Sequence, residues 1–161
     1  MIYLYIRYED EEYENVDAAA IIKGSAAYPG IRGLVRFYQT DHGVYVITSI
    51  TGLPRGTSPC NSPIFAMHIH DGNSCDGRSD ENAFPDSGMH FNPHGCEHPY
   101  HAGDLPPLFS ANGLAMSSVL TNRFTVQEII GKAVIIHSGM DDFTTQPSGN
   151  SGTKIACGVI Q

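Results

Sequence analysis

The chain has 161 residues, 41% of them hydrophobic and 16% charged, with 17 Gly, 10 Pro and no Trp. That is the size of one domain with its own core, rich in turns and poor in the charged helix formers of coiled coils and helical bundles. Nine Lys and Arg stand against 17 Asp and Glu, a net charge of -8, and no basic cluster offers the cationic surface that nucleic acid requires.

Along the chain, residues 1–17 come first, with Glu9, Asp10, Glu11, Glu12, Glu14 and Asp17 against only Arg7. This is the pattern of a solvated face or arm. With the Tyr-rich, weakly alternating Met1–Tyr8 it reads as an N-terminal extension preceding a domain over residues 18–161. The apolar run Met1–Ile6 is far short of the roughly 20 residues of a membrane-spanning helix, so no membrane partner is expected. The start also lacks the parts of a secretory signal, so a cytoplasmic location is expected, with an exported mature form as the alternative.

Short alternating or β-branched segments follow between turn signals: Ala18–Lys23, Gly33–Thr40, Gly43–Thr51, Ile64–His70, Ala115–Thr121, Lys132–His137 and Lys154–Ile160. Their spacing predicts an all-β sandwich or barrel. Asp41-His42-Gly43 joins two of them as a hairpin, and Thr125–Ile130 predicts only a short helical turn. The stretch Asp71–Pro107 has no apolar periodicity and reads as one long functional loop.

Six of the eight histidines fall between His68 and His101. In Phe65-Ala66-Met67-His68-Ile69-His70, side-chain alternation sends Phe65, Met67 and Ile69 to the core and projects His68 and His70 together from the other face, half of a metal site. Further on, His98, His101 and Asp104 recur every third residue. Pro99 keeps His98 out of helical geometry, and an extended three-per-turn conformation aligns all three on one side. Two imidazoles and a carboxylate suit zinc, and His90, eight residues before His98, can supply the fourth ligand.

His68-Ile69-His70, His90-Phe91-Asn92-Pro93, His98, His101-Ala102-Gly103-Asp104-Leu105, His137 and Ala156-Cys157-Gly158-Val159-Ile160 resemble, in order and spacing, the copper/zinc superoxide dismutases, over about residues 18–161. The compact loop around His98 and the Pro147 stretch look like the bacterial branch. The resemblance implies an eight-stranded Greek-key barrel with long metal-binding loops. It makes His68, His70, His90 and His137 copper ligands and His90, His98, His101 and Asp104 zinc ligands, with His90 bridging. Asp141 falls where a carboxylate links a copper histidine to a zinc histidine. The implied activity is dismutation of superoxide to oxygen and hydrogen peroxide by alternate reduction and reoxidation of copper, with His90 breaking from copper to take a proton. Some family branches form dimers, so a homodimer is a further expectation.

The four cysteines allow three pairings. The resemblance selects Cys75–Cys157 as the family disulfide and leaves Cys60 and Cys96 as candidates for a second bridge, with two free thiols as the alternative. Lys154 stands where the family carries an arginine beside copper. It keeps the charge that attracts an anion but not the planar fork that can hold superoxide and backbone at once, which predicts reduced activity. The loop Phe143–Thr153 holds no charged side chain, so electrostatic guidance of the anion should be weak. His42 and His94 match no ligand position. The rival reading is a non-catalytic metal-binding or chaperone-like protein on the same fold. A metallo-β-lactamase reading of His68-x-His70 fails because Gly72 and Asn73 stand at +2 and +3 after the pair, where that class needs Asp-His, and no G-x-S-x-G elbow supports a serine nucleophile.

Overall fold

The computed structural model describes residues 16–61, 63–77 and 83–161. The expectation of an arm over residues 1–17 falls almost wholly outside them. Eight strands follow in chain order: β1 (Ala18–Gly24), β2 (Arg32–Thr40), β3 (Gly43–Thr51), β4 (Ile64–His70), β5 (Asp104–Phe109), β6 (Ala115–Thr121), β7 (Ala133–His137) and β8 (Lys154–Val159). One four-residue helix, α1 (Val126–Ile129), occupies the predicted helical turn, capped by Thr125 and Glu128.

All neighbouring strands pair antiparallel in the order β5-β4-β7-β8-β1-β2-β3-β6, and the edge strands β5 and β6 approach each other to leave a nearly closed barrel. Alternation sets the core. Ala18, Ala20 and Ile22 of β1, Val35 and Phe37 of β2, and Val44, Val46 and Ile50 of β3 point inward, while Ile21 stays 67% exposed. Antiparallel strands with one solvated face behave in this way.

Strands β4, β7 and β8 break the alternation because they are buried on both faces. Phe65, Met67, Ile69, Val134 and Ile136 enter the barrel core. On the outer side Ala133, Ile135 and Cys157 join Phe84 in a second small cluster, against which Cys75 and Ala83 pack. The segment after β4 therefore lies across this wall, fastened by the Cys75–Cys157 disulfide, which spans 82 residues of sequence.

The structure corrects two expectations. The stretch Asp71–Pro107 is not loop throughout, since Asp104–Phe109 forms β5 in spite of Pro106 and Pro107. Proline lacks an N–H and is tolerated only on edge strands or at bulges. β5 is an edge strand, and its register against β4 slips between Phe65↔Leu108 and Met67↔Leu105, where the two prolines lie. Cys60 and Cys96 form no second bridge, and both are exposed free thiols. Cys60 sits in a short turn before β4. Cys96 is pinned locally by Asn92, whose Oδ1 accepts from Cys96 N at 2.9 Å and whose Nδ2 donates to Cys96 O at 2.8 Å.

Opening the Cys75–Cys157 link restores freedom to a long loop of the unfolded chain, worth about 2–4 kcal/mol. Cys75→Ser should lower the unfolding free energy by that amount in urea titration, and an unchanged midpoint would contradict the assignment.

Candidate metal centre

The outer face of β4 carries His68 and His70, as its alternation requires, and His137 ends the neighbouring β7. Strand pairing recruits two more side chains. His68 lies across the ladder from Asp104, the first residue of β5, and His70 forms an isolated bridge with His90. His98 and His101 come from the loop between them. The candidate ligand atoms of His68, His70, His90 and His137 all lie within 4.8 Å of one another, as do those of His90, His98, His101 and Asp104. His90 belongs to both groups, and all seven residues are buried.

Three rings of the first group are each oriented through one nitrogen. His68 donates through Nε2 to Asp141 Oδ2 (2.9 Å), His70 through Nδ1 to the Gly88 carbonyl (2.9 Å), and His137 through Nδ1 to the Gly152 carbonyl (3.3 Å). Their opposite nitrogens converge. His70 Nε2 and His137 Nε2 are 3.3 Å apart, and His68 Nδ1 and His90 Nε2 are buried without a hydrogen-bond partner. In the second group His90 Nδ1 lies 2.7 Å from Asp104 Oδ1, with His98 Nδ1 and His101 Nδ1 at 3.1 and 3.3 Å from Asp104 Oδ2. Orphaned buried nitrogens are costly unless a metal takes them. The donors suit the metals that the sequence resemblance implies: four imidazoles fit copper, and three imidazoles with a carboxylate fit zinc.

Asp141 ties the groups together, since its Oδ2 accepts from His68 and its Oδ1 from His98 Nε2 at 2.8 Å. Burial alone would raise its pKa, but the bonds from His68, Phe143 N and His98 hold it at about 2. Asp104 likewise stays below the ordinary carboxylate range, burial being outweighed by the bond to His90 and the surrounding imidazoles. Burial pushes the imidazoles the other way, His70 down to about 2 and His137 to about 3, with His68 lowered as well. Neutral imidazole is the form that binds metal.

Two glycines allow the loops to close. Gly103 N–H donates to Phe91 O while its own carbonyl accepts from Ile69 N, and a Cβ there would strike the Ile69 carbonyl. Gly149, at φ +68°, lies against the Asp141–His98 bond so closely that a Cβ would collide with both partners. Sequence reading missed Gly149, the carbonyls of Gly88 and Gly152, and Met89, which lines the site's entrance; a backbone acceptor leaves no residue-type signal. His42 and His94 are exposed and belong to neither group, as expected.

A cavity of about 280 Å³ opens onto His70, His90 and His137, with Lys154 in its wall. A bulge places that lysine. Ile136 pairs with Ala156 but His137 pairs with Lys154, so Ile155 is the extra residue and both Ile155 and Ala156 point into the core. Lys154 is thereby turned to the face of His137.

Protonation of the metal-free chain gives a pH test. Between the depressed folded values and the ordinary 6.5, the unfolded chain binds protons that buried His70 and His137 refuse. Stability should therefore fall as pH drops below 6.5, by up to about 1.4 kcal/mol per pH unit for each such histidine. Urea midpoints at pH 7, 6 and 5 measure it, and a flat profile would show that the rings are not held neutral.

Residues 31–160 match the family described as copper/zinc superoxide dismutase. Among curated relatives, a copper/zinc superoxide dismutase of Photobacterium leiognathi is 34% identical over 142 residues, covering 80% of this chain and 78% of that protein. The human copper chaperone for superoxide dismutase is 30% identical over 168 residues, 92% of this chain but 54% of that protein. Among solved structures, the Brucella abortus copper/zinc superoxide dismutase superposes with a TM-score of 0.74 at 24% identity, covering 90% of this chain and 100% of that one. With the barrel, the disulfide and the paired histidine groups already in place, the family match is decisive: the chain belongs to the copper/zinc superoxide dismutase family.

Proposed function

We propose that the protein is a superoxide dismutase in which His68, His70, His90 and His137 hold copper and His90, His98, His101 and Asp104 hold zinc. The observation that carries this reading is the shared histidine, which belongs to both groups, with Nδ1 2.7 Å from Asp104 Oδ1 and Nε2 buried without a partner. When bound, copper supplies the one-electron couple that converts superoxide to oxygen and hydrogen peroxide, whereas zinc, with a filled d shell, supplies none. The chain's own contribution is orientation and proton handling. Asp141, Gly88 and Gly152 fix the rings, and His90 Nε2, buried without a partner, is the atom at which a proton is held.

Lys154 fills the place of the family's arginine in this reading. Its Nζ lies 3.3 Å from the Phe84 carbonyl, 2.8 Å from Ser87 Oγ and 3.1 Å from the Gly88 carbonyl. An ammonium has three hydrogens, so these acceptors occupy all of them. The charge still faces the cavity, but no donor is left for the anion, which supports a rate below that of an arginine enzyme. The same Gly88 carbonyl also accepts from His70 Nδ1, so Lys154 steadies the acceptor that orients a ligand ring. The disulfide favours an oxidising compartment over the cytoplasmic expectation.

A non-catalytic copper-binding or docking role is the second reading, favoured by the likeness to the human chaperone and by the engaged lysine. Metal analysis with superoxide decay separates the two. One copper and one zinc per chain, with decay that requires copper and is lost in His137→Ala, is expected, whereas full occupancy without decay would sink the dismutase reading. Lys154→Arg should raise the second-order rate. Lys154→Met should lower it about tenfold, the effect of losing a charge worth roughly 1–2 kcal/mol to an anion near a protein surface; equal rates for all three would refute a role in anion capture.

A further inference from the structure

Three of the four residues proposed to hold zinc lie between His98 and Asp104, mostly outside the regular ladder, yet two side chains that are not ligands grip the backbone of that segment. Arg123, in the turn after β6, donates through one nitrogen, Nη1, to the carbonyls of Pro99 (3.0 Å), His101 (3.3 Å) and Asp104 (3.3 Å). Gln146, in the loop after β7, donates through Nε2 to the His98 carbonyl (2.7 Å) and accepts from His98 N–H at Oε1 (3.0 Å). Both grips come from later in the chain but from two separate loops, Arg123 19–24 residues after the carbonyls it binds and Gln146 48 residues after His98. Between them they bind the backbone carbonyl of every ligand residue in the segment, and neither is bonded to a candidate ligand atom.

We propose that Arg123 and Gln146 are positioning residues that preset the zinc-ligand segment by its backbone, so that the segment is ordered before metal arrives. The proposal rests on the reading that His90, His98, His101 and Asp104 take zinc. Fixing a residue's backbone carries an entropic cost; where the clamps already hold the segment, metal binding does not have to supply that order. Arg123 gives the idea a distinguishing sign. A guanidinium near a divalent cation repels it, so by charge alone its removal would tighten zinc binding. A positioning role demands the reverse.

The test measures zinc affinity of the full chain by chelator competition, with the absorption spectrum of the cobalt-substituted site as a geometric signature and hydrogen exchange of the metal-free chain as a measure of order. Arg123→Met and Gln146→Leu should each weaken zinc about tenfold or more, the usual size for partners that orient ligands. Both should distort the cobalt spectrum and speed exchange at residues 98–104 while the amides of β3 stay protected. Unchanged or tighter zinc in both variants overturns the proposal. Should Arg123→Met lose β3 protection as well, Gln146→Leu, on a separate loop, decides alone. Asp104→Ala separates the two levels of inference. If it leaves the zinc affinity of the parent chain unchanged, the zinc reading fails; if it abolishes binding while the clamp variants bind normally, only the clamp fails.

Discussion

Six imidazoles and two carboxylates are withdrawn from water on one wall of the barrel, and the rest of the structure follows from the need to satisfy both nitrogens of each ring. A neutral imidazole has one donor and one acceptor on opposite edges. For His68, His70, His98 and His137 one edge is given to a carboxylate or a backbone carbonyl, which fixes which nitrogen turns inward. His90 has no such partner outside the two groups. Both of its edges face candidate ligands, and that places it between them.

This demand explains the loops. An acceptor such as the Gly88 carbonyl is useful only if the segment carrying it cannot drift, and that segment is held three ways: by the disulfide to β8, by Lys154, and by packing of Phe84 on Ala133 and Ile135. The other loop reaches in with Asp141, whose two oxygens span the two groups. Gly149 supplies the empty space that lets the chain fold over it. The disulfide, the lysine and the glycine serve the same end by different means.

Much of this was legible in the sequence, and the misses have a common cause. Alternation in Phe65–His70 placed Phe65, Met67 and Ile69 in the core and His68 and His70 on the other face, whereas His98, His101 and Asp104 meet through two turns, closed by Tyr100 N–H on Glu97 O and Asp104 N–H on His101 O, and not through the extended conformation expected. Where period 2 fails, reading fails with it. β5 was hidden because two prolines interrupt it, although an edge strand with a register shift has room for them. The ring-orienting carbonyls of Gly88 and Gly152 were hidden because an acceptor on the main chain carries no residue signature, and Arg123 and Gln146 because they act on main chain. The resemblance could supply the Cys75–Cys157 pairing, but Cys60 and Cys96 depended on local geometry, which Asn92 settles by holding Cys96 in its own turn.

The extra residue in β8 makes that strand a counting device. Because Ile155 and Ala156 both turn inward, the side chain at position 154 emerges beside His137. If the same residues paired without the bulge, plain alternation from Cys157 would turn Lys154 into a core that has no partner for a charge. Substitution at Ile155 or Ala156 is thus a question of core volume, whereas anything that irons out the bulge at unchanged length is a question of parity. Shortening the strand by that one extra residue would leave the lysine on its outer face.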